Sequence, residues 1–284
     1  MLKRKQVNKT NKKVFHIGDV LKYIPLVLAA IVAVLPLLVV FIGSFKSMTE
    51  FTNSGVLTLP KHFSIDNYTK AFTEGNMLTG FKNTMIIFVV SMVGQLLISS
   101  SFAYVMNRFE FRLKKLILAL FTIAMLIPAI TSQVAVFQLV NKLGLVGTRW
   151  SVIILYIGTN VIALYIFLQF LQEIPYSLDE SALLDGASYF RIFWSIILPN
   201  LKAPIVTMVI ISGVGVYNDF YNPYLYMPDP SLQVISTALF AFKGSSVVQW
   251  PVILAGVMIV IIPILIVFIV LQKYIYNGVT GAVK

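Results

Sequence analysis

The sequence predicts an all-α membrane protein with six transmembrane helices and both termini on the cytoplasmic side. Three observations carry that expectation. Of the 284 residues, 58% are hydrophobic and only 12% are charged, about half the charged share of an ordinary soluble domain. The apolar residues fall into runs free of Lys, Arg, Asp and Glu at 24–45, 83–106, 116–138, 151–171, 203–218 and 250–272. Lastly, 15 of the 22 Lys and Arg residues fall on one side of the resulting topology, which the positive-inside rule places in the cytoplasm.

Most of these runs are long enough to cross about 30 Å of hydrocarbon as helix. The first follows a polar lead, 1–22, that is too long for a cleaved signal peptide, so that run is expected to remain as a span. The fifth, 203–218, is short and is expected to borrow 220–224 to complete its crossing. The apolar segment 232–242 is shorter still, a length that suits an interfacial or re-entrant piece. Pro36, Pro128, Pro204 and Pro263 fall in spans, where an interior proline removes a helical hydrogen bond and kinks the axis. Pro25 sits in a first turn, where it is harmless. The expected organisation is a basic tail over 1–22, a membrane domain over 23–272 and a tail over 273–284.

Composition also excludes chemistry. There is no cysteine, so disulfides, iron–sulfur centres and thiolate zinc sites are ruled out. His16 and His62 are the only histidines, too few for a histidine relay. The net charge of +11 on so apolar a chain points to anionic lipid and not to nucleic acid. No G-x-x-x-x-G-K-[ST] occurs, so the chain has no phosphate-cradling P-loop. No acidic or histidine series runs through the spans, which argues against a proton-driven carrier.

Between the fourth and fifth runs, residues 172–202 are mixed in charge and read as helical. Ser177 and Glu180 fit a capping box, and Asp185-Gly186 supplies a left-handed helix stop. Ser188 is placed to cap a second helix through Tyr189, Phe190, Ile192, Phe193, Ile196 and Ile197, ended by Leu198-Pro199. Such a knob is either a docking surface or an amphipathic pair lying on the inner leaflet.

The order Glu180-x-Ala182-x-x-x-Gly186, then Ile196-x-Leu198-Pro199, resembles the EAA loop of bacterial ABC importer permeases. Ser181 stands where that loop usually has alanine. Asp66-Asn67-Tyr68, Phe109-Glu110-Phe111-Arg112, Asp185-Gly186-Ala187-Ser188 and the end from Gly278 to Lys284 resemble the maltose-permease-like carbohydrate subfamily. The resemblance implies a cytoplasmic coupling-helix loop seated on an ATP-hydrolysing subunit. Glu180, Ser181, Ala182, Asp185, Gly186, Ala187, Leu198 and Pro199 would be its contact and hinge residues. It also implies a bacterial cytoplasmic-membrane permease working with a second permease, two ATP-binding subunits and an extracytoplasmic solute-binding protein. ATP and Mg would bind to the partner ATPase subunits and no cofactor to this chain. The cargo would be a sugar or oligosaccharide, moved by alternating access.

Tyr217-Asn218-Asp219-Phe220 sits where those permeases often carry a Trp-Asn-Asp-Phe-like sequence. Together with Tyr221, Tyr224 and Tyr226 it surrounds a carboxylate near the outer end of span five. That cluster suits either a polyol path or an aromatic interface belt. Asn218 and Tyr221 share a helix face while Asp219 is turned by about 100°, so all three reach one path only if the helix ends near Asn218. The rival classes are a gradient-driven sugar carrier or channel without an ATPase, and a membrane-embedded enzyme or scaffold.

Overall fold

The computed structural model describes residues 17–158, 160–244 and 248–281. Most of the expected basic tail, residues 1–16, lies outside them, as do Ala282, Val283 and Lys284.

Every regular element among the described residues is helical. Helix α1 (Ile17–Ser44) is long and continuous through Pro25 and Pro36. Short α2 (Met48–Asn53) is opened by the Ser47 hydroxyl, which accepts the Glu50 N–H at 3.2 Å. Helix α3 (Asp66–Glu74) leads into α4 (Met77–Arg108), 32 residues without a proline. Helices α5 (Lys114–Leu126) and α6 (Ala129–Lys142) follow, then α7 (Arg149–Ile157) and α8 (Val161–Gln172). The segment after α8 forms α9 (Ser177–Leu184), α10 (Tyr189–Ile192) and α11 (Leu198–Asn200). The chain ends with α12 (Lys202–Asn218), α13 (Tyr221–Tyr226), α14 (Ile235–Ala238) and α15 (Trp250–Gly281).

Among the described residues four stretches are long and apolar enough to cross a membrane: Tyr23–Ser44, Met77–Arg108, Arg149–Gln172 and Trp250–Val270. Two bent pairs bring the number of candidate spans to as many as six. In the first, α5 and α6 meet at 109°, far more than a kink. Pro128 has no N–H to donate and forces Ile127 into an extended conformation, φ −83° and ψ 116°. The second pair joins Tyr189–Asn200 to Lys202–Asn218 at 72°. The fourth run is also interrupted, because α7 ends at Gly158 and α8 opens afresh under Asn160, whose Oδ1 accepts the Ala163 N–H.

The fifth run does not extend through the aromatic residues as one helix. It stops at Asn218, and the chain turns through Asp219 and Phe220 before α13 begins.

Helix α4 is central, packed against α7, α8, α12 and α14, whereas α1 runs along α15. One side of α4 buries Asn83, Thr84, Ser91, Gln95, Ser99 and Ser100. Apolar clusters cover its two ends. Tyr104, Phe167, Leu171, Ile192 and Ile197 form one; Ile87, Val152, Tyr226 and Val234 belong to the other.

The short segment expected over 232–242 is not a span. It folds as α14 between two 3-10 turns, Pro230–Leu232 and Leu239–Gly244, against the start of α4. Asn83 Nδ2 donates to the carbonyls of Ser231 (3.0 Å) and Gln233 (2.8 Å), and the Ile235 N–H donates to Thr84 Oγ1 at 2.9 Å. Gly80 lets the two backbones approach: a Cβ there would lie 3.2 Å from Ile235 Cα and N. Just ahead of this segment, the Ser231 N–H holds the Asp229 carboxyl below the usual carboxylate range.

Candidate functional site: the folded loop and the capped aromatic cluster

The loop over 172–202 closes on itself as its glycine requires. Gly186 has φ +81°, a conformation that costs an L side chain but not glycine. The Gly186 N–H donates to the Leu183 carbonyl and the Ala187 N–H to the Ala182 carbonyl. That pair is the Schellman closure of α9. Ser188 then opens α10 as expected, its hydroxyl accepting the Arg191 N–H at 3.3 Å.

Two details of the expected loop are corrected. Ser177 and Glu180 make no capping box. The cap position belongs to Tyr176, already helical in its backbone (φ −62°, ψ −27°), and the Glu180 N–H donates to the Tyr176 carbonyl. Nor does Leu198-Pro199 end the second helix. Residues Phe193–Ile197 widen into a π-turn in which the Leu198 N–H reaches the Phe193 carbonyl. A wider turn accommodates a proline that cannot donate, and the bend falls two residues later, at Leu201.

The loop has a buried side and an exposed side. Ala182, Ile192, Phe193 and Ile197 are buried against α4 and α8. Ser181, Asp185 and Pro199 are exposed, Ala187 and Leu198 are half-buried, and Glu180 is exposed. At the tip, Leu184 is 89% exposed and Phe190 74%, two large apolar side chains on either side of the Gly186 bend.

What sequence reasoning missed lies beneath the loop. Asp179 is buried; its Oδ2 accepts from Tyr104 Oη at 3.0 Å and from Arg108 Nε at 3.2 Å. Arg108 also donates to the Ile174 carbonyl and to Asn107 Oδ1, and its guanidinium lies 4.2 Å above the Tyr176 ring. The Tyr176 hydroxyl in turn donates to the Asn107 carbonyl at 2.6 Å. The one available signal was Arg108 as the first charge after the 83–106 run; Asp179, beside Glu180 in a charged loop, carried none.

At the other end of the bundle, the residues 217–221 take different environments. Tyr217 is buried and donates to the Val260 carbonyl on α15 at 2.9 Å. Asn218 and Tyr221 are exposed. Asp219 caps α13: its Oδ1 accepts the Asn222 N–H, and its Oδ2 accepts Asn222 Nδ2 and the Tyr156 hydroxyl. Phe220 stacks on both Tyr224 (5.2 Å) and Phe240 (4.2 Å), and those two rings also meet at 6.2 Å. The helix does end near Asn218, and the carboxylate is used up in local bonds. Among the described residues no group of His, Cys, Asp and Glu could hold a metal ion.

A bent-helix bundle with a folded, partly apolar loop at one end and a capped aromatic cluster at the other has the parts of a transport permease. The chain belongs to the family of binding-protein-dependent transport system inner membrane components, whose profile matches residues 95–281. It is 34% identical to the probable starch degradation products transport system permease protein AmyC of Thermoanaerobacterium thermosulfurigenes, over 88% of this chain and 91% of that protein. It is 32% identical to the galactooligosaccharides transport system permease protein GanQ of Bacillus subtilis, over 94% and 95%. Its fold matches a bacterial ABC transporter involved in the import of the acidic polysaccharide alginate, with TM-score 0.81, 21% identity and coverage of 92% and 99%. The chain is therefore a multi-pass permease component of an ABC importer and not itself the ATPase. Such a system implies separate ATPase and solute-binding subunits. Family membership displaces the gradient-driven carrier and the membrane enzyme as readings.

Proposed function

We propose that this chain is one of two different permease subunits of an oligosaccharide importer, with six spans and both termini in the cytoplasm. The two bent pairs would each count as one span, and the loop over 172–202 would then face the cytoplasm with the basic turn Arg108–Lys115. The cargo assignment is supported by relatives described as permeases for starch degradation products and for galactooligosaccharides. It is also supported by the exposed side chains of Asn218, Tyr221 and Tyr224 at the outer end, since sugars bind through amide hydrogen bonds and aromatic faces.

The loop is the coupling element. Glu180, Ser181, Asp185, Gly186 and Ala187 would lie at the ATPase contact, with Leu184 and Phe190 as apolar anchors. Ala182, buried, and Leu198, half-buried, would hold the loop to the bundle, and Pro199 would be a hinge residue exposed beside its bend. ATP and Mg would be bound by the ATPase pair; closure of that pair carries the loops with it, and the permeases open outward by alternating access. On the substrate side, Asn218, Phe220 and Tyr221 border the path, while Tyr217 and Asp219 hold its wall in place.

The single observation that carries this reading is the Schellman closure at Gly186 with Leu184 and Phe190 exposed beside it. The test is reconstitution with the co-encoded permease, ATPase and binding protein. Neutral oligosaccharides presented by the binding protein should stimulate ATP hydrolysis and enter vesicles only when ATP is supplied on the loop side. Uptake that runs on an ion gradient without the ATPase would overturn it.

A further inference from the structure

Among the described spans, α4 alone has neither a break nor an internal proline. The third run is broken at Pro128, the fourth at Gly158 and the fifth at Asp219; α1 and α15 contain Pro36 and Pro263. A continuous helix is the stiffest element a bundle offers, because proline and broken hydrogen-bond ladders are where helices bend.

Both ends of α4 are gripped by polar side chains. At the loop end, Arg108 holds three successive points of the elbow between α8 and α9: the Ile174 carbonyl at 2.9 Å, the Tyr176 ring at 4.2 Å and the Asp179 carboxylate at 3.2 Å. The Arg108 and Asp179 side chains are 3% and 8% exposed. Truncating either leaves a buried charge without its partner, so the contact resists sliding. One turn earlier, Tyr104 donates to the same Asp179 oxygen and packs on Phe193, while Phe109 packs on Tyr189. Both arms of the loop are thus fixed to the last turn of one helix.

At the far end, Asn83 and Thr84 bind the segment that carries Ser231, Gln233 and Ile235. Asn83 Oδ1 also accepts Arg149 Nε at 2.8 Å, and Ser236 Oγ donates to the Asp219 backbone carbonyl at 2.7 Å. The grips at Arg108 and Asn83 are about 38 Å apart along the helix at 1.5 Å per residue.

We propose that α4 is the connecting rod of the transport cycle. Arg108, Asp179 and Tyr104 are positioning residues that fix the coupling loop to its inner end, and Asn83 and Thr84 fix the outer segment around α14. Displacement of the loop by the ATPase is then delivered to the outer wall of the path without loss in a bend. The inference rests on the loop being the ATPase contact proposed above.

The experiment uses the assembled importer in lipid. Ser231→Cys places the one thiol of this chain on the exposed start of the outer segment. Its labelling rate with an impermeant maleimide is compared with and without a non-hydrolysable ATP analogue, per assembled complex. The parent complex should change its rate with nucleotide. Arg108→Lys, which keeps the charge and loses the fork, and Asp179→Asn should shrink that change at least about fivefold, a coupling loss of ordinary size. Tyr104→Phe removes one hydroxyl without removing packing and should shrink it less. A residue that only supports folding would lower the amount of complex and leave the response per complex intact.

Full responses in assembled Arg108→Lys and Tyr104→Phe complexes would overturn the rod, as would a parent complex whose Ser231→Cys rate ignores nucleotide. If Asp179→Asn and Arg108→Lys do not assemble, Tyr104→Phe decides the matter alone. Failure of the underlying reading is distinguishable: a variant at Gly186 would then also couple normally, whereas failure of the rod alone leaves that variant uncoupled.

Discussion

The Tyr156 hydroxyl donates to Asp219 Oδ2 at 2.8 Å, joining the first half of the interrupted fourth span to the turn that follows the fifth. The same carboxylate accepts both nitrogens of Asn222. Asp219 is thus a cap and a cross-brace, and its charge is satisfied within the chain.

Substitutions here should separate support from transport. Asp219→Ala removes a helix cap, costing about 1 kcal/mol, and leaves the Tyr156 hydroxyl without its acceptor, about 1–3 kcal/mol more. The melting temperature of the purified complex should fall, and fall less for Asp219→Asn, which retains one acceptor oxygen. Tyr221→Ala touches an exposed ring and should leave melting unchanged while lowering oligosaccharide uptake. Normal uptake by Tyr221→Ala would reduce the cluster to an interface belt.

Gly186→Val tests the loop. Nothing lies within 4 Å of a Cβ built at Gly186, so the substitution meets no clash. It carries only the backbone cost of a left-handed L residue, about 1–2 kcal/mol, and that cost is highest for a β-branched side chain. Binding-protein-stimulated ATP hydrolysis should drop, with the chain still inserted in the membrane. Stimulation at the parent level would remove Gly186 from the coupling role.

Topology can be read by thiol labelling, because the chain has no cysteine. Val56→Cys, at an exposed position on the segment between α2 and α3, should react with an impermeant reagent in intact cells. Leu184→Cys should react only in opened membranes, and co-expressed ATPase should protect it. Labelling of Leu184→Cys from outside would reverse the orientation and take the loop away from the ATPase.

The contact between α4 and the outer segment is equally exposed to test. At Gly80 a methyl would press to 3.2 Å from the Ile235 backbone, which leaves alanine marginal and makes Gly80→Leu displace the segment. Asn83→Leu takes the amide partner from the carbonyls of Ser231 and Gln233 and from Arg149, part-buried groups for which the loss is about 1 kcal/mol each. Limited proteolysis of either variant should cut earlier within 230–238 than in the parent chain.

Local pattern carried most of the architecture, and distance along the chain hid the rest. Charge-free runs located the apolar spans because hydrocarbon admits little else. Gly186 and Ser188 were legible because a left-handed stop and a cap act on backbone a few residues away. The Ser177 cap was not, since the start of α9 is decided by Tyr176, which already continues helically out of the Pro175 turn. Asp179 passed unnoticed because its partner, Arg108, stands 71 positions earlier. The severity of the bend at Pro128 was likewise hidden: proline announces a kink, but whether the axis turns slightly or by 109° depends on what the two halves pack against.

Helix α1 runs along α15, and most of its side chains from Tyr23 to Leu38 are exposed in the isolated subunit. Near its end, a Cβ on Gly43 would lie 2.6 Å from a Leu254 methyl. Helix α1 therefore finds its main neighbour within this subunit only after α15, far along the chain, has been made. Until then the part of α1 that meets α15 has lipid as its neighbour. Translation arrested before Trp250 should leave α1 in the membrane without the helix it packs on, a difference that cross-linking from Gly43 would read.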